Sequence, residues 1–324
     1  MTQSAPPPTR DIVTLGEAMT LFIAEPGSPL RDATHYRRSV AGAESNVAIG
    51  LARLGHRTGW IGRLGNDALG DAIHHALRGE GVDTTLVTRD QEAATGILIR
   101  DCHGTRPTEV VYQRRHSAGS HLAATHITPD YIADFAGLHI TGITPLLSET
   151  AHAAVHAAVD AAKSARRTVS FDPNIRLRLA PPDKSVPILR TLSAKADIVL
   201  AGDDEAELIT GHTDPHKAAG WFLDRGAHTV VLKRSARGAW ATNGKNSWTQ
   251  PALPAVPVDP IGAGDAFTVG YLSGWLQSHS IEASLHTACA LGALAVQTIG
   301  DYEGTPMAEI LHATATALPG QALR

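Results

Sequence analysis

Between Pro251 and Phe267 the chain changes from extended backbone to helix, and it does so through two glycines. Pro251, Pro254, Pro257 and Pro260 recur at every third position. Each fixes φ at about −65° and disfavours helix in the residue before it, so the segment reads as extended. From Ala266 to Gln277 the pattern reverses. Phe267, Tyr271 and Trp275 are four apart, as are Leu272 and Leu276, and the run is apolar on nearly every side. That is the pattern of a buried helix. The join is Asp259-Pro260-Ile261-Gly262-Ala263-Gly264-Asp265-Ala266-Phe267.

The chemistry follows from the join. The first N–H groups of a helix have no internal partner and lie at the positive end of its dipole. Gly262 and Gly264 put no Cβ between those groups and a phosphate. Asp265 stands beside this anion hole. A carboxylate there repels phosphate, but it is well placed to take a proton from a hydroxyl that attacks one. Without a function, the same residues are a glycine-rich turn with an acid in the first helical turn.

The segment resembles the C-terminal signature of the ribokinase-like (PfkB) sugar kinases. The resemblance implies that the Gly262, Ala263 and Gly264 backbone forms the anion hole and that Asp265 is the catalytic base. It implies a ribokinase-like three-layer α/β/α sandwich with a mostly parallel central sheet and a small β-sheet lid.

A chain of 324 residues with 43% hydrophobic content can bury one large α/β domain. The net charge of −4 gives no basic surface for nucleic acid. No stretch is apolar enough to span a bilayer. The two cysteines, Cys102 and Cys289, are far apart and suggest neither a disulfide framework nor a thiolate metal site, so a reducing cytoplasm fits. Met1 to Arg10, with three consecutive prolines and no apolar run, reads as a disordered tail rather than a signal peptide or anchor. His152 and His156 have the spacing of a two-histidine metal pair, but no third ligand is near and a solvated helix face is the expectation.

Along the chain, Asp11 to Gly16 reads as a first strand, and Met19 to Ala24 as a second apolar patch. A helix starts at Glu44, with Val47, Leu51 and Leu54 on one face and Gly55 as its stop. A strand at Thr58 to Ile61 precedes Gly62-Arg63-Leu64-Gly65-Asn66-Asp67-Ala68-Leu69-Gly70 and a helix to about Gly79 or Gly81. These stretches resemble the N-terminal half of the PfkB pattern, with Gly42 and Asn46 as sugar-binding residues. Where the family has two glycines this chain has Ala41-Gly42, and the methyl narrows the expected pocket.

Residues 95 to 116 alternate as a hairpin turning at Gly104 and Pro107. The resemblance makes this hairpin and a segment at about 17–38 the lid strands inserted in a kinase domain spanning 11–318. Such a lid implies a homodimer or higher homo-oligomer. Thr128 is a plausible N-cap with Pro129 behind it. Strands follow at Leu138 to Thr141, Thr168 to Phe171, Ile198 to Ala201 and Thr229 to Lys233, separated by helices. Such alternation implies a parallel sheet covered on both faces, with ligands beyond the carboxyl ends of its strands. Asp172-Pro173-Asn174, Asp203 to Glu205 and Asp265 converge there if so.

Three further groups bear on the chemistry. The resemblance makes Glu205 the acid that holds Mg²⁺ through water, although Gly202 stands where the family has Asn. It places Lys233, Ser235 and Gly238 beside the nucleotide with Gly262 and Gly264; Ser235 stands where the family has Gly. It also admits a monovalent cation, K⁺, near Asp259. On the sugar side, Tyr112 and Arg114 are two apart and share a strand face, and Arg176 follows Asp172-Pro173-Asn174. An arginine fork matches a carboxylate rather than a neutral sugar. These runs resemble the 2-keto-3-deoxygluconate kinases within the family, with Leu98 where that subgroup has tyrosine. The expected activity is ATP- and Mg²⁺-dependent phosphorylation of a primary hydroxyl of that acid sugar. A fructokinase or other neutral-sugar or nucleoside kinase is the alternative. A non-catalytic sugar-binding member is a second.

Overall fold

Short apolar runs alternating with helical patterns build two sheets in a computed structural model that describes residues 7–103 and 107–311. In chain order the strands are β1 (Arg10–Leu15), β2 (Met19–Ala24), β3 (Tyr36–Ala41), β4 (Thr58–Gly65), β5 (Val87–Asp90), β6 (Ile97–Arg100), β7 (Val110–Gln113), β8 (Phe135–Thr141), β9 (Thr168–Asp172), β10 (Ile198–Gly202), β11 (Thr229–Lys233), β12 (Ala239–Thr242) and β13 (Ser247–Gln250). The helices are α1 (Ala43–Arg53), α2 (Ala68–Gly79), α3 (Pro129–Ala133), α4 (Glu149–Ser164), α5 (Pro182–Ser193), α6 (Asp203–Thr210), α7 (Pro215–Leu223), α8 (Ala263–Leu276) and α9 (Ile281–Ala295).

The large sheet has nine strands in the order β13-β12-β11-β10-β9-β8-β1-β4-β5. It is parallel except at β12 and β13, which pair antiparallel at one edge. Strand side chains alternate between faces, so each buried strand feeds two cores. On β1, Val13 and Leu15 pack with α4 residues such as Val155 and Val159, while Ile12 packs with Val47 of α1 and Val269 of α8. On β10, Val199 and Ala201 join the first core, while Ile198 and Leu200 join Phe267, Tyr271 and Leu285 of α8 and α9. The architecture is the expected ribokinase-like α/β sandwich.

Helix ends obey local chemistry. Ser148 accepts the Ala151 N–H at 3.0 Å to cap α4, and Asp67 accepts the Gly70 N–H at 2.7 Å to cap α2. Thr128 is the N-cap of α3 with Pro129 following, but its hydroxyl makes no capping bond. His152 and His156 of α4 are half-buried with ring centroids 4.6 Å apart, so the fully solvated face expected for them is not observed.

The small sheet has the order β3-β2-β6-β7. Strands β6 and β7 are the hairpin, with Leu98 opposite Tyr112 and Ile99 opposite Val111. Strand β2 runs parallel to β6. Strand β3 extends the expected segment from 38 to Ala41.

The expected disordered tail ends too late. The Thr9 and Arg10 N–H groups both donate to Asp134 O at 3.0 Å, and Arg10 starts β1. The tail's first six residues, the turn residue Gly104 and the 312–318 end of the expected domain lie outside the described residues. Among the described residues, no helix is long and apolar enough to cross a membrane.

Candidate active site

Helix α8 begins as its sequence requires. Gly262 is the N-cap at φ 80°, ψ −11°, a left-handed conformation that costs a side chain about 1–2 kcal/mol. A Cβ at Gly262 would also collide with the Asp301 carbonyl. The need for glycine there is therefore one of turn geometry, not of phosphate access as the sequence suggested. Gly264 is different. It is exposed, its φ is ordinary, and an added Cβ would meet only Lys233 Nζ, at 3.9 Å. Gly264 is the position that opens the helix N-terminus to an incoming group.

Asp265, the next residue, is half-buried at the cleft floor. Its Oδ2 accepts from Asn46 Nδ2 at 2.8 Å and its Oδ1 from Asn174 Nδ2 at 3.3 Å. Burial pushes its pKa up to about 6; Asp172 adds to the rise, while the Asn46 hydrogen bond, Arg176 and Lys233 pull it down. A carboxylate poised there is a competent base near neutral pH.

The carboxyl ends of β9, β10 and β11 supply the neighbouring wall. Lys233 Nζ bonds Asp172 Oδ2 at 2.6 Å, and Thr268 of α8 donates to the same oxygen at 3.2 Å. Burial opposes the Lys233 charge, but Asp172, Glu205 and Asp265 together raise its pKa, so it stays an ammonium. Asn174 adopts φ 44°, which turns its amide toward Asp265. Glu205 is more occupied than expected. Its Oε2 accepts the Gly202 N–H and its Oε1 the Ile175 N–H, both at 2.7 Å. It caps α6 and ties down the segment after β9, with the outer lone pairs left for water. The loop after β11 is anchored by Arg234 and Arg237, which both reach Asp203 Oδ2. Ser235 there has φ 50°, a left-handed position that glycine adopts without strain. Gly238 has φ 88°, and a Cβ on it would strike the Gln250 carbonyl.

A cavity of about 320 Å³ opens between the small sheet and the start of α8. Gly42, Asn46, Tyr112, Arg114, Arg176 and Asp265 all line it, so the structure brings the sequence-selected residues together. Gly42 adopts φ 154° with Glu17 O where a Cβ would be, so only glycine fits. Ala41 and Leu98 also reach the cavity, as expected of residues that reshape it.

Arg114 does not hold a free charge. Its Nε donates to Glu17 Oε2 at 2.7 Å, and the Ser117 hydroxyl binds the other Glu17 oxygen. Glu17 is 2% exposed, so Arg114 neutralises a buried acid. Arg114 thus faces the cavity already paired with Glu17, which the sequence reading, with one or both arginines facing a substrate carboxylate, did not include. Arg176 is exposed, and among the described residues its guanidinium donates to its neighbour's carbonyl, Ile175 O, at 3.2 Å and to no acid. Removing one partner of a buried ion pair strands the other, at about 3–5 kcal/mol. Arg114→Ala should therefore lower thermal stability by about 3 kcal/mol, read as a clear fall in melting temperature. An unchanged melting temperature would show that Glu17 is not held by this contact.

Asp259 is likewise engaged. Arg100 Nη2 lies 2.6 Å from Asp259 Oδ2, while the Gly300 and Ile261 N–H groups bond the same carboxylate at 3.0 and 3.3 Å. A monovalent metal ion at this carboxylate does not fit, because a guanidinium already fills the place. Among the described residues no cluster of three or more His, Cys, Asp or Glu side chains makes a ready metal site. Mg²⁺ does not need one, since it keeps most of its waters and arrives on phosphates.

The pattern of the pfkB family of carbohydrate kinases matches residues 9–308. The chain belongs to that family. It is 38% identical over 304 residues to a 2-dehydro-3-deoxygluconokinase of Bacillus subtilis (strain 168), covering 93% of this chain and 94% of the relative. It is 35% identical over 299 residues to a 2-dehydro-3-deoxygluconokinase of Thermoproteus tenax, covering 91% of each. A fructokinase from Vibrio cholerae O395, solved with fructose, ADP and calcium ion, matches with a TM-score of 0.82 at 26% identity, covering 94% of this chain and 98% of that one. As a pfkB kinase the protein is an ATP-dependent sugar kinase. Four cleft residues of this pfkB kinase escape a sequence reading: Glu17, Glu44, Arg100 and Asp301. Glu44 is buried and accepts from Thr141 and Thr144 hydroxyls at 2.6 Å each; burial raises its pKa. The available signal was position alone, since Glu17 follows a strand end and Glu44 opens a helix.

Proposed function

We propose that the protein transfers the γ-phosphoryl group of MgATP to the primary hydroxyl of 2-keto-3-deoxygluconate. Asp265 takes the hydroxyl proton, and the N–H groups at Gly262, Ala263 and Gly264 receive the charge developing on the transferring group. Lys233, Ser235 and Gly238 border the nucleotide. Glu205 holds waters of the Mg²⁺ that the nucleotide carries. Gly42 and Asn46 hold sugar hydroxyls, with Asn46 also orienting Asp265.

The observation that carries the choice of sugar is Arg176. It is the arginine of the cavity without an acidic partner among the described residues, and it lies close enough to Asp265 to lower its pKa. A carboxylate on the acceptor satisfies it; a neutral sugar does not. Two relatives named 2-dehydro-3-deoxygluconokinases support the same acid sugar. A charge-assisted contact is worth about 1.5–3 kcal/mol, so Arg176→Ala should raise KM for the acid sugar at least about tenfold. Neutral sugars should feel little change. The test is ADP release with a panel of acid and neutral sugars. Fructose outperforming the acid sugar, with Arg176→Ala kinetically silent, would favour a fructokinase, the reading that the pairing of Arg114 with Glu17 leaves open.

The small sheet is read as a lid and a pairing face between subunits. Phe22, Ile99 and Val111 form a row across β2, β6 and β7, on the face opposite to Leu98 and Tyr112. Sedimentation of the purified kinase tests that pairing. The free buried thiols Cys102 and Cys289 support a cytoplasmic setting.

A further inference from the structure

Arg100 ends β6 in the small sheet and is 1% exposed, yet its guanidinium lies in the turn that starts α8. Its Nη2 bonds Asp259 at 2.6 Å and Asp301 at 3.2 Å, and Nη1 reaches Asp101 O at 3.4 Å. The two acids hold the N-cap glycine from both sides. Asp259 is three residues before Gly262 and accepts the Ile261 N–H, while the Asp301 backbone packs where a Gly262 side chain would be. Asp259 also accepts the Gly300 N–H, which ties the Asp301 segment to the turn. Two buried carboxylates this close repel each other and cost desolvation unless a cation sits between them. Burial raises the Asp301 pKa to about 7 against the pull of Arg100.

We propose that Arg100 is a built-in cation of the anion hole, a positioning residue that fixes the 259–262 turn so that the kinase requires no monovalent metal ion. Arginine is suited to this, because it stays charged at any working pH and one nitrogen of its guanidinium, Nη2, meets both carboxylates. An ammonium-sized or bare metal ion at the same point would exchange with salt; a guanidinium on a strand does not. The inference concerns the phosphate side of the cleft and does not depend on which sugar is the acceptor.

The experiment measures MgADP affinity by calorimetry and turnover with an accepted sugar, in K⁺, in Na⁺ and in tetramethylammonium at one ionic strength. Equal ionic strength gives equal screening, so wild-type values should agree within about twofold across the three salts. A wild-type affinity or rate that collapses in tetramethylammonium and returns with K⁺ overturns the proposal. Arg100→Met keeps the aliphatic stem and removes the charge. Misaiming hole donors costs on the order of 10²-fold in turnover, and added guanidinium or K⁺ should restore part of that loss. Arg100→Lys should retain more activity than Arg100→Met. A folded Arg100→Met protein with wild-type affinity and rate in tetramethylammonium also overturns the proposal. If Arg100→Met does not fold, the wild-type salt series decides alone.

Discussion

Asp265→Asn should cut turnover by two to four orders of magnitude, about the range for loss of a general base. The substitution keeps the size of the side chain, and an asparagine can still pair with Asn46 and Asn174. It cannot accept the proton of an attacking hydroxyl. MgATP affinity should hold or improve, since a negative charge leaves the phosphate site. The wild-type enzyme makes a linked prediction. Asp265 works as the carboxylate, and its pKa is pushed up to about 6 by burial and by Asp172. Protonation below that value removes the base, so kcat/KM should rise with pH through about 6 and level off above it. In Asp265→Asn that limb should vanish from whatever activity remains. A folded Asp265→Asn enzyme with near-normal turnover would reassign the base.

That assignment began with a motif, and the motif was legible for a physical reason. A helix that must start in a left-handed turn needs glycine at the turn, and Gly262 at φ 80° is that residue. The parallel strands were legible because burial on both faces leaves continuous apolar runs. Strands β12 and β13 were not. Each has only four residues at a sheet edge, and neither face carries a long apolar pattern. The charge pairs were also invisible. Glu17 and Arg114 lie 97 residues apart, and Arg100 and Asp259 lie 159 apart. Nothing local distinguishes an arginine that meets a substrate from one that neutralises a buried acid. Only burial of the partner decides it, and burial of Glu17 and Asp259 follows from how the small sheet folds over the cleft. The same limit applied to Glu205, whose fit to a magnesium role in the sequence hid its bonds to two backbone N–H groups.

Gly264→Val should abolish productive nucleotide binding while leaving the fold in place, and the two glycines of the turn predict opposite phenotypes. At Gly264 the backbone is ordinary and an added Cβ meets only the tip of Lys233. Valine in a first helical turn costs at most about 0.7 kcal/mol of helix propensity, so the helix should survive. The new methyls, however, stand in front of the α8 N-terminus and beside Lys233, in the space a phosphate needs. Blocking access to backbone donors of this kind costs on the order of 10²- to 10³-fold in turnover, and exclusion of the phosphate adds loss of affinity. At Gly262 a side chain meets both the left-handed φ and the Asp301 carbonyl. Gly262→Val should therefore lower the melting temperature, with activity lost as a consequence. The distinguishing measurement is calorimetric ADP binding alongside circular dichroism. A Gly264→Val protein with a native spectrum and unaltered ADP affinity would place the phosphates elsewhere in the cleft.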